Sequence, residues 1–146
     1  MQIPPVRFKK KHPGVPTPVY KTPGSAGCDV CSDEDVTIPA RGKALVGTGL
    51  FLEVPEGFEC QCRPRSGLAL QTGVTLLNSP GTIDCDFRGE MKVLLVNTSD
   101  CEQHITKGQR ICQFVFAPMY RAEFEEVDEL SPTERGTGGW GSTGVR

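Results

Sequence analysis

The amino-acid sequence predicts an all-β protein, a jelly-roll-like antiparallel β-sandwich or barrel with one short helix and a flexible C-terminal arm. Short runs rich in Val, Ile, Leu and Phe recur along the chain, and turn residues such as Pro55-Glu-Gly57 and Lys107-Gly108 separate them. Only one segment has the composition of a helical turn. Short strands joined by frequent turns are typical of antiparallel sandwiches and jelly rolls.

The first elements are predicted to be extended. The basic opening Arg7-Phe-Lys-Lys-Lys11 favours a solvated edge strand over a localisation signal or a basic arm. Four prolines from Pro13 to Pro23 then exclude a helix. Further strands are predicted at Cys28 to Ser32, Val36 to Ile38, Ala44 to Val54, Phe58 to Arg63, Val74 to Leu77, Met91 to Val96, Ile111 to Phe116 and Met119 to Val127.

The predicted helical turn is Ser66-Gly-Leu-Ala-Leu70. Pro64 precedes it, and Ser66 stands where a helix N-cap would. Free amides at the start of such a helix, next to the guanidinium of Arg65, would form a natural phosphate site. Ser66 is not expected to be a nucleophile, because its neighbours do not form the Gly-x-Ser-x-Gly elbow of hydrolases.

Length and composition predict one domain in the cytoplasm. We expect residues 1–134 to form the β domain and residues 135–146 to be a mobile glycine-rich arm of it, in a chain of 146 residues. A net charge of -2 gives no reason to expect a nucleic-acid partner. No apolar run is long enough to span a membrane, and the N-terminus lacks the apolar core of a signal peptide.

The seven cysteines are not predicted to form disulfides, and four of them, Cys28, Cys31, Cys60 and Cys62, are predicted to be small buried side chains. Their number is odd and their spacing irregular, which argues against a disulfide framework. A zinc site built from Cys28 and Cys31 with Cys60 and Cys62 is disfavoured, because the second pair is too close in sequence and the gap between the pairs is too long. The two histidines receive no role.

Two acidic residues and the C-terminal arm are candidates for chemistry. If Asp84 and Asp86 lie on extended backbone, both carboxylates point to one side, where one of them would make a usable base; simple turn capping is the alternative. The arm offers the guanidinium of Arg135, the hydroxyl of Ser142 and the ring of Trp140, which together are the parts of a nucleotide clamp. It is not a P-loop, because the lysine is missing.

Five segments, in chain order, resemble the motifs of the trimeric dUTP pyrophosphatases (dUTPases). They are Ala26-Gly-Cys-Asp29, Pro64-Arg-Ser-Gly-Leu-Ala69, Asn78-Ser-Pro-Gly-Thr-Ile-Asp-Cys-Asp-Phe-Arg-Gly-Glu90, Gly108-Gln-Arg-Ile-Cys-Gln113 and Arg135-Gly-Thr-Gly-Gly-Trp-Gly-Ser-Thr-Gly144. The resemblance covers nearly the whole chain. It implies the dUTPase-like β-clip fold and a homotrimer, with each active site shared among chains and closed by the arm of a neighbour.

By the same resemblance, Asp84 would orient or deprotonate the water that attacks the α-phosphorus of dUTP, releasing dUMP and pyrophosphate. The cofactor Mg²⁺ would be held by the phosphates and water without a direct protein ligand, and Asp29 would be an outer-shell carboxylate. The implied substrate-binding residues are Arg65, Ser66, Gly67, Asn78, Gly81, Thr82, Ile83, Asp84, Phe87, Met91, Lys92, Gln113, Arg135, Trp140, Gly141, Ser142 and Thr143.

The resemblance also implies which residues would bind the base and the sugar of the nucleoside. The hairpin from Gly73 to Asp84, with the amide of Asn78, would read uracil through a pairing-like hydrogen-bond pattern. Phe87 would pack beneath the deoxyribose and disfavour a 2′-hydroxyl. The family more often has tyrosine in place of Phe87 and phenylalanine in place of Trp140, so sugar discrimination and lid kinetics are the properties expected to differ.

Three other functions fit parts of the pattern. A deaminase relative of the same fold would act on dCTP, but no deaminating constellation is found beyond the shared scaffold. A nucleotide-sensing or protein-binding module would keep the fold and lose turnover, against which the presence of Asp84, Arg65 and Gln113 argues. A purely structural trimer would leave the coincidence of motifs unexplained.

Overall fold

A computed structural model of the protein describes residues 3–140, 142 and 144. The strands and the helix lie within residues 7–118 and occur in the order β1 (Arg7–Lys10), β2 (Cys28–Cys31), β3 (Val36–Ile38), β4 (Lys43–Glu53), β5 (Phe58–Arg63), α1 (Ser66–Thr72), β6 (Val74–Leu76), β7 (Gly81–Ile83), β8 (Glu90–Asn97), β9 (Gln103–Ile105) and β10 (Arg110–Pro118). The predicted all-β fold with one short helix is confirmed.

The strands of the described residues form two four-stranded sheets and one two-stranded sheet. The first sheet has the order β1-β4-β8-β6, the second has the order β2-β10-β5-β7, and β3 pairs with β9. Every pairing is antiparallel. Strands that are far apart in sequence lie side by side, such as β4 with β8 and β2 with β10, as in a jelly roll.

Strand β8 shows how alternation builds the core. Met91, Val93 and Leu95 are buried, whereas Lys92 between them is exposed. Successive side chains of a strand point to opposite faces, so a period of two is enough to line one face with apolar groups. The apolar side chains of both four-stranded sheets meet in a single core cluster.

Strand β4 bulges where it meets the start of β8. The pairing reaches Gly47 with Lys92 and resumes only at Phe51 with Glu90, so three residues of β4 face one residue of β8. Gly49 lies in this bulge with a φ of 67°. A Cβ atom there would come within 2.6 Å of a side chain in the N-terminal segment, so both the backbone and the packing require glycine.

The helix α1 is longer than predicted and begins differently. Arg65, not Ser66, is the N-cap residue, with an extended backbone (φ -100°, ψ 121°) and no capping hydrogen bond from its side chain. The predicted cap at Ser66 is wrong, because Ser66 is already the first helical residue. In the described part of the chain, no helix has the length and apolar character needed to cross a bilayer.

The predicted strand at residues 119–127 is wrong. These residues are irregular, and the side chains of Tyr120 and Phe124 are 94% and 98% exposed. In the register of β10 with β5, Pro118 pairs with Phe58, which is the first residue of β5. The amide of Met119 still donates to the carbonyl of Gly57 at 2.9 Å, but within the described chain β5 begins at Phe58 and offers no strand backbone for the residues that follow.

Two short strands are absent from the predicted set. β7 begins at Gly81 directly after Asn-Ser-Pro, so its turn residues conceal it in the sequence. β9 reads Gln-His-Ile and has no apolar run. Both strands exist because another strand supplies the backbone with which they pair: β7 pairs with β5, and β9 pairs with β3. Tertiary pairing therefore outweighs local composition at these places.

All seven cysteines are free. Of the four predicted to be buried, Cys28, Cys60 and Cys62 belong to the core, whereas Cys31 is only partly buried. Cys28, Cys60, Cys62 and Cys112 are buried, whereas Cys101 is exposed. Burial raises the pKa of the thiols of Cys28 and Cys60 and keeps them protonated at neutral pH. Among the described residues, no three His, Cys, Asp or Glu side chains are grouped so that they could hold a metal ion.

Candidate active site

A cleft of about 380 Å³ is lined mainly by β6, β7, β8 and the turn that follows β7. Cys62 of β5 and Phe114 of β10 add apolar surface to it. A volume of this size is typical of sites for small organic ligands. The lining residues are Cys62, Leu76, Asn78, Gly81, Thr82, Ile83, Asp84, Phe87, Glu90, Met91, Lys92, Val93, Leu94 and Phe114.

The predicted binding residues of the motif from Asn78 to Glu90, and the two predicted residues that follow it, all line this cleft. They are Asn78, Gly81, Thr82, Ile83, Asp84, Phe87, Met91 and Lys92. Sequence reasoning did not identify the apolar lining from Cys62, Leu76 and Phe114, because these residues are far from the motif in sequence and read as ordinary core positions. Most of the lining therefore comes from one continuous stretch of the chain, and side chains of the core form the rest of the cavity surface.

Asp84 lies where the pairing of β7 ends. The amide of Phe87 donates to the carbonyl of Asp84 at 3.2 Å, which closes a tight turn over Cys85 and Asp86. The extended backbone on which both carboxylates would share one side is therefore not formed, and the stretch is the turn of the alternative prediction. Only Asp84 lines the cleft, and Asp86 stays in the exposed turn.

Phe87 covers a glycine at the rim of the cleft. Its side chain is 46% exposed, so the ring is accessible from the cleft that it lines. A Cβ atom at Gly89 would lie 2.5 Å from Cζ of Phe87, so the absence of a side chain there lets the ring lie against the backbone. The guanidinium of Arg88 donates to the carbonyl of Cys85 at 2.6 Å and braces the same turn. The ring is thus presented to the cleft by a rigid support.

Asp29 of β2 is the centre of a second polar group. Its Oδ1 atom accepts hydrogen bonds from Nε of Arg65 at 3.1 Å and from Nε2 of Gln113 at 3.2 Å. Its Oδ2 atom accepts one from Nη1 of Arg110 at 2.7 Å. The Asp29 side chain is only 5% exposed, so this carboxylate orients three donors from within the protein.

The charges around Asp29 keep it ionised. Burial alone would raise its pKa, but the hydrogen bonds from Arg110 and Gln113 and the positive charge of Arg65 outweigh burial and lower the pKa below its ordinary value. The carboxylate therefore stays negative at neutral pH. Its two arginines keep further N–H groups with which to bind an anion.

Arg110 is a site residue that sequence reasoning missed. In a regular strand, Arg110 and Gln113 would point to opposite faces, because they are three residues apart. The register of β10 with β2 shifts between Arg110 and Cys112, and this irregularity lets both side chains reach Asp29. The only feature of the sequence that could have indicated Arg110 as a site residue is its position within the motif from Gly108 to Gln113.

The cleft and the Asp29 group use opposite faces of the same sheet. Phe114 and Cys62 pair with each other and line the cleft, whereas the next pair along, Gln113 with Arg63, points the other way. Gln113 pairs with Asp29 on its other side, which puts the Asp29 group on that second face. The two groups therefore do not line a common cavity within one chain.

The start of α1 and the arm supply the remaining predicted residues. Ser66 and Gly67 are exposed next to Arg65. In the arm, Nε of Arg135 donates to the carbonyl of Gly138 at 2.8 Å, and the side chain of Trp140 is fully exposed. Ser142 is exposed, and its amide donates to the carbonyl of Gly139 at 2.6 Å. Gly141 and Thr143 lie outside the described residues.

The Asp29 carboxylate fits an outer-shell role toward a cation better than direct coordination. Both of its oxygens already accept hydrogen bonds from Arg65, Gln113 and Arg110, and a metal bound directly to them would break these bonds. A hydrated Mg²⁺ bound to a polyphosphate needs few ligands from the protein.

The fold and the cleft define an all-β protein with a site for a small ligand, and comparisons with known proteins identify its family. Residues 14–144 match the dUTPase family. The deoxyuridine 5′-triphosphate nucleotidohydrolase of Roseobacter denitrificans is 53% identical over 133 residues, covering 89% of this chain and 88% of that protein. Its counterpart in Hydrogenobaculum sp. is 52% identical, covering 94% and 96%. The chain belongs to the dUTPase family.

Solved structures agree in fold. The dUTPase of Staphylococcus bacteriophage 80alpha with dUpNHpp has a TM-score of 0.90 and 25% identity, covering 97% of this chain and 99% of that chain. A Tyr-to-Phe mutant of the same phage enzyme with dUpNHpp also has a TM-score of 0.90, with 26% identity and the same coverage. The recognition of the family from its motifs is thereby confirmed.

Proposed function

We propose that this protein hydrolyses dUTP to dUMP and pyrophosphate by Mg²⁺-assisted attack of water on the α-phosphorus. The observation that supports it most is the single cleft lined by Asp84 together with the whole predicted nucleoside-binding group. Membership of the dUTPase family supports the same substrate. A cleft of about 380 Å³ is large enough for a deoxyuridine moiety.

The residues of the cleft have distinct roles in this proposal. Backbone groups from Gly81 to Ile83 and the amide of Asn78 bind the uracil edge. Phe87 packs beneath the deoxyribose, and its exposed ring leaves no space for a 2′-hydroxyl. Asp84 accepts a proton from the attacking water, or fixes its orientation, so that the oxygen faces the phosphorus. Met91 and Lys92 form the opposite wall.

The phosphate chain binds the second group of residues. Arg65, Ser66, Gly67 and Gln113 donate to phosphate oxygens, and Asp29 keeps Arg65 and Gln113 aligned for this purpose. From the arm, Arg135, Ser142 and Thr143 grip the terminal phosphate, while Trp140 and Gly141 cover the nucleotide and exclude water. A bound Mg²⁺ supplies neutralisation of the charge that develops on the phosphates.

Because the cleft and the Asp29 group lie on opposite faces of one sheet, we propose that each complete site is shared between chains of a homotrimer. One chain contributes Asp84 and the nucleoside cleft, and a neighbour contributes Arg65 and Gln113. The division of the chain into a β domain of residues 1–134 and an arm of residues 135–146 belongs to the same proposal, as does the cytoplasmic location.

Pyrophosphate release from dUTP, dTTP, dCTP and UTP, with and without Mg²⁺, tests the proposed reaction. We expect rapid release from dUTP in the presence of Mg²⁺ and little release from the other three nucleotides. Ammonia release from dCTP would instead identify a deaminase. Tight binding of dUTP without turnover would identify a nucleotide sensor, and either result would overturn the proposal.

A further inference from the structure

Thr48 lies behind the cleft, in the bulge of β4, and has no assigned role. Its side chain is fully buried, which is rare for a hydroxyl unless both its proton and its lone pairs have partners. Here both do. Oγ1 donates to the carbonyl of Met91 at 2.6 Å and accepts from the amide of Leu50 at 3.2 Å.

The bulge in β4 explains why the carbonyl of Met91 needs a side chain as its hydrogen-bond donor. Between the pairs Gly47 with Lys92 and Phe51 with Glu90, the regular register of β4 with β8 is broken opposite Met91. The hydroxyl of Thr48 supplies the carbonyl of Met91 with a donor at this break. Because the amide of Leu50 already donates to Oγ1, the single hydroxyl proton is directed to Met91.

A second side-chain hydrogen bond connects the bulge of β4 to β8. The amide of Gly49 donates to Oε1 of Glu90 at 3.1 Å, and Glu90 also lines the cleft. Two side-chain hydrogen bonds therefore tie the first residues of β8 to β4. Glu90 and Met91, which accept these two bonds, and Lys92, which follows them, all line the cleft.

The peptide that joins Met91 to Lys92 is planar, so fixing its carbonyl also fixes its N–H in the opposite direction. A rotation of this peptide would move the start of β8 against whatever occupies the cleft. We infer that Thr48 is a positioning residue, whose hydroxyl sets the orientation of this wall and thereby the affinity for the deoxyuridine part of the substrate.

This inference rests on the proposed placement of the nucleoside in the cleft. It assigns Thr48 to substrate binding and not to the chemical step, since Asp84 and the phosphate-binding residues do not contact it through any described hydrogen bond. Changes at Thr48 should therefore alter KM for dUTP and the dissociation constant of dUpNHpp, while kcat stays almost constant.

The test compares Thr48→Val, which keeps the shape and removes the hydroxyl, with Thr48→Ser, which keeps the hydroxyl. We expect Thr48→Val to raise KM for dUTP and the calorimetric Kd of dUpNHpp by about tenfold, with kcat within roughly twofold of wild type. Thr48→Ser should restore both constants to within about threefold of wild type. If Thr48→Val does not fold, Thr48→Ala removes the same hydroxyl.

The matched control is Ile105→Val in β9, a buried residue on the two-stranded sheet that does not line the cleft. It should lower the melting temperature and leave KM unchanged. An unchanged KM in Thr48→Val, or equal losses in Thr48→Val and Thr48→Ser, would overturn the inference. Failure of the wild-type protein to hydrolyse dUTP would instead overturn the proposed function, so the two failures are distinguishable.

Discussion

At the scale of single residues, the site depends on carboxylates that the fold places in contrasting surroundings. Asp29 is buried and held by three donors, whereas Asp84 is exposed on the cleft. The carboxylate of Asp29 accepts hydrogen bonds from two arginines and a glutamine and serves to orient these donors, whereas that of Asp84 faces the cleft. Asp84 is therefore the better candidate for the group that acts on the attacking water.

The substitution Asp84→Asn tests this assignment. It keeps the size of the side chain and removes its basicity, so we expect kcat for dUTP to fall by roughly 10²- to 10⁴-fold. Binding of dUpNHpp, measured by calorimetry, should change little. Asp86→Asn is the matched control, since Asp86 lies in the same turn but not on the cleft, and it should keep wild-type turnover. Comparable turnover in the two variants would contradict the role of Asp84.

At the scale of elements, the sequence predicted the long strands well, because each of them carries a run of apolar residues. β4, β8 and β10 all lie within two residues of their predicted starts. The short strands β7 and β9 were missed, since their partners and not their own composition hold them in place. The segment 119–127 was predicted as a strand because it alternates, but alternation does not supply a partner.

The residues of the candidate site also include some that the sequence predicted and others that it did not. Residues from contiguous motifs, such as Asn78 and Asp84, could be predicted because the motif itself carries the information. Arg110 and Thr48 could not, since their contacts depend on an irregular register in β10 and in β4. A shift of register changes which face a side chain occupies, and periodicity in the sequence cannot show where such a shift occurs.

The arm is the element whose removal should be most informative. Deleting residues 135–146 should leave the melting temperature almost unchanged, because residues 135–140 are irregular and nearly all exposed. It should lower kcat/KM for dUTP by roughly 100-fold, the effect of losing donors to the developing phosphate charge. Trp140→Phe, which retains an aromatic ring, is the control and should keep most of the activity. Full activity of the truncated protein would remove the arm from the mechanism.

At the scale of the whole molecule, the two polar groups lie on opposite faces of one sheet, and the proposal of a site shared between chains rests on this placement. The hypothesis of a shared site can be tested with two inactive variants, Asp84→Asn and Arg65→Ala. If each site takes Asp84 from one chain and Arg65 from its neighbour, a mixed trimer contains one intact site. Random mixing of equal amounts should then restore about a quarter of the sites.

The mixture should be refolded together and compared with the two variants refolded apart and then combined. Activity only in the jointly refolded sample would support sites built from two chains. If both samples have no more activity than the sum of the variants, Asp84 and Arg65 do not act across a subunit boundary, and the shared site is excluded.

The exposed indole of Trp140 also gives the protein a built-in optical reporter. It is the sole tryptophan of the chain, so excitation near the red edge of protein absorption selects the arm alone. Indole emission shifts to shorter wavelength when water is replaced by an apolar neighbour or a stacked base. If the arm closes over dUpNHpp as proposed, the closure should therefore be visible in real time without any attached dye, and its rate can be compared directly with turnover.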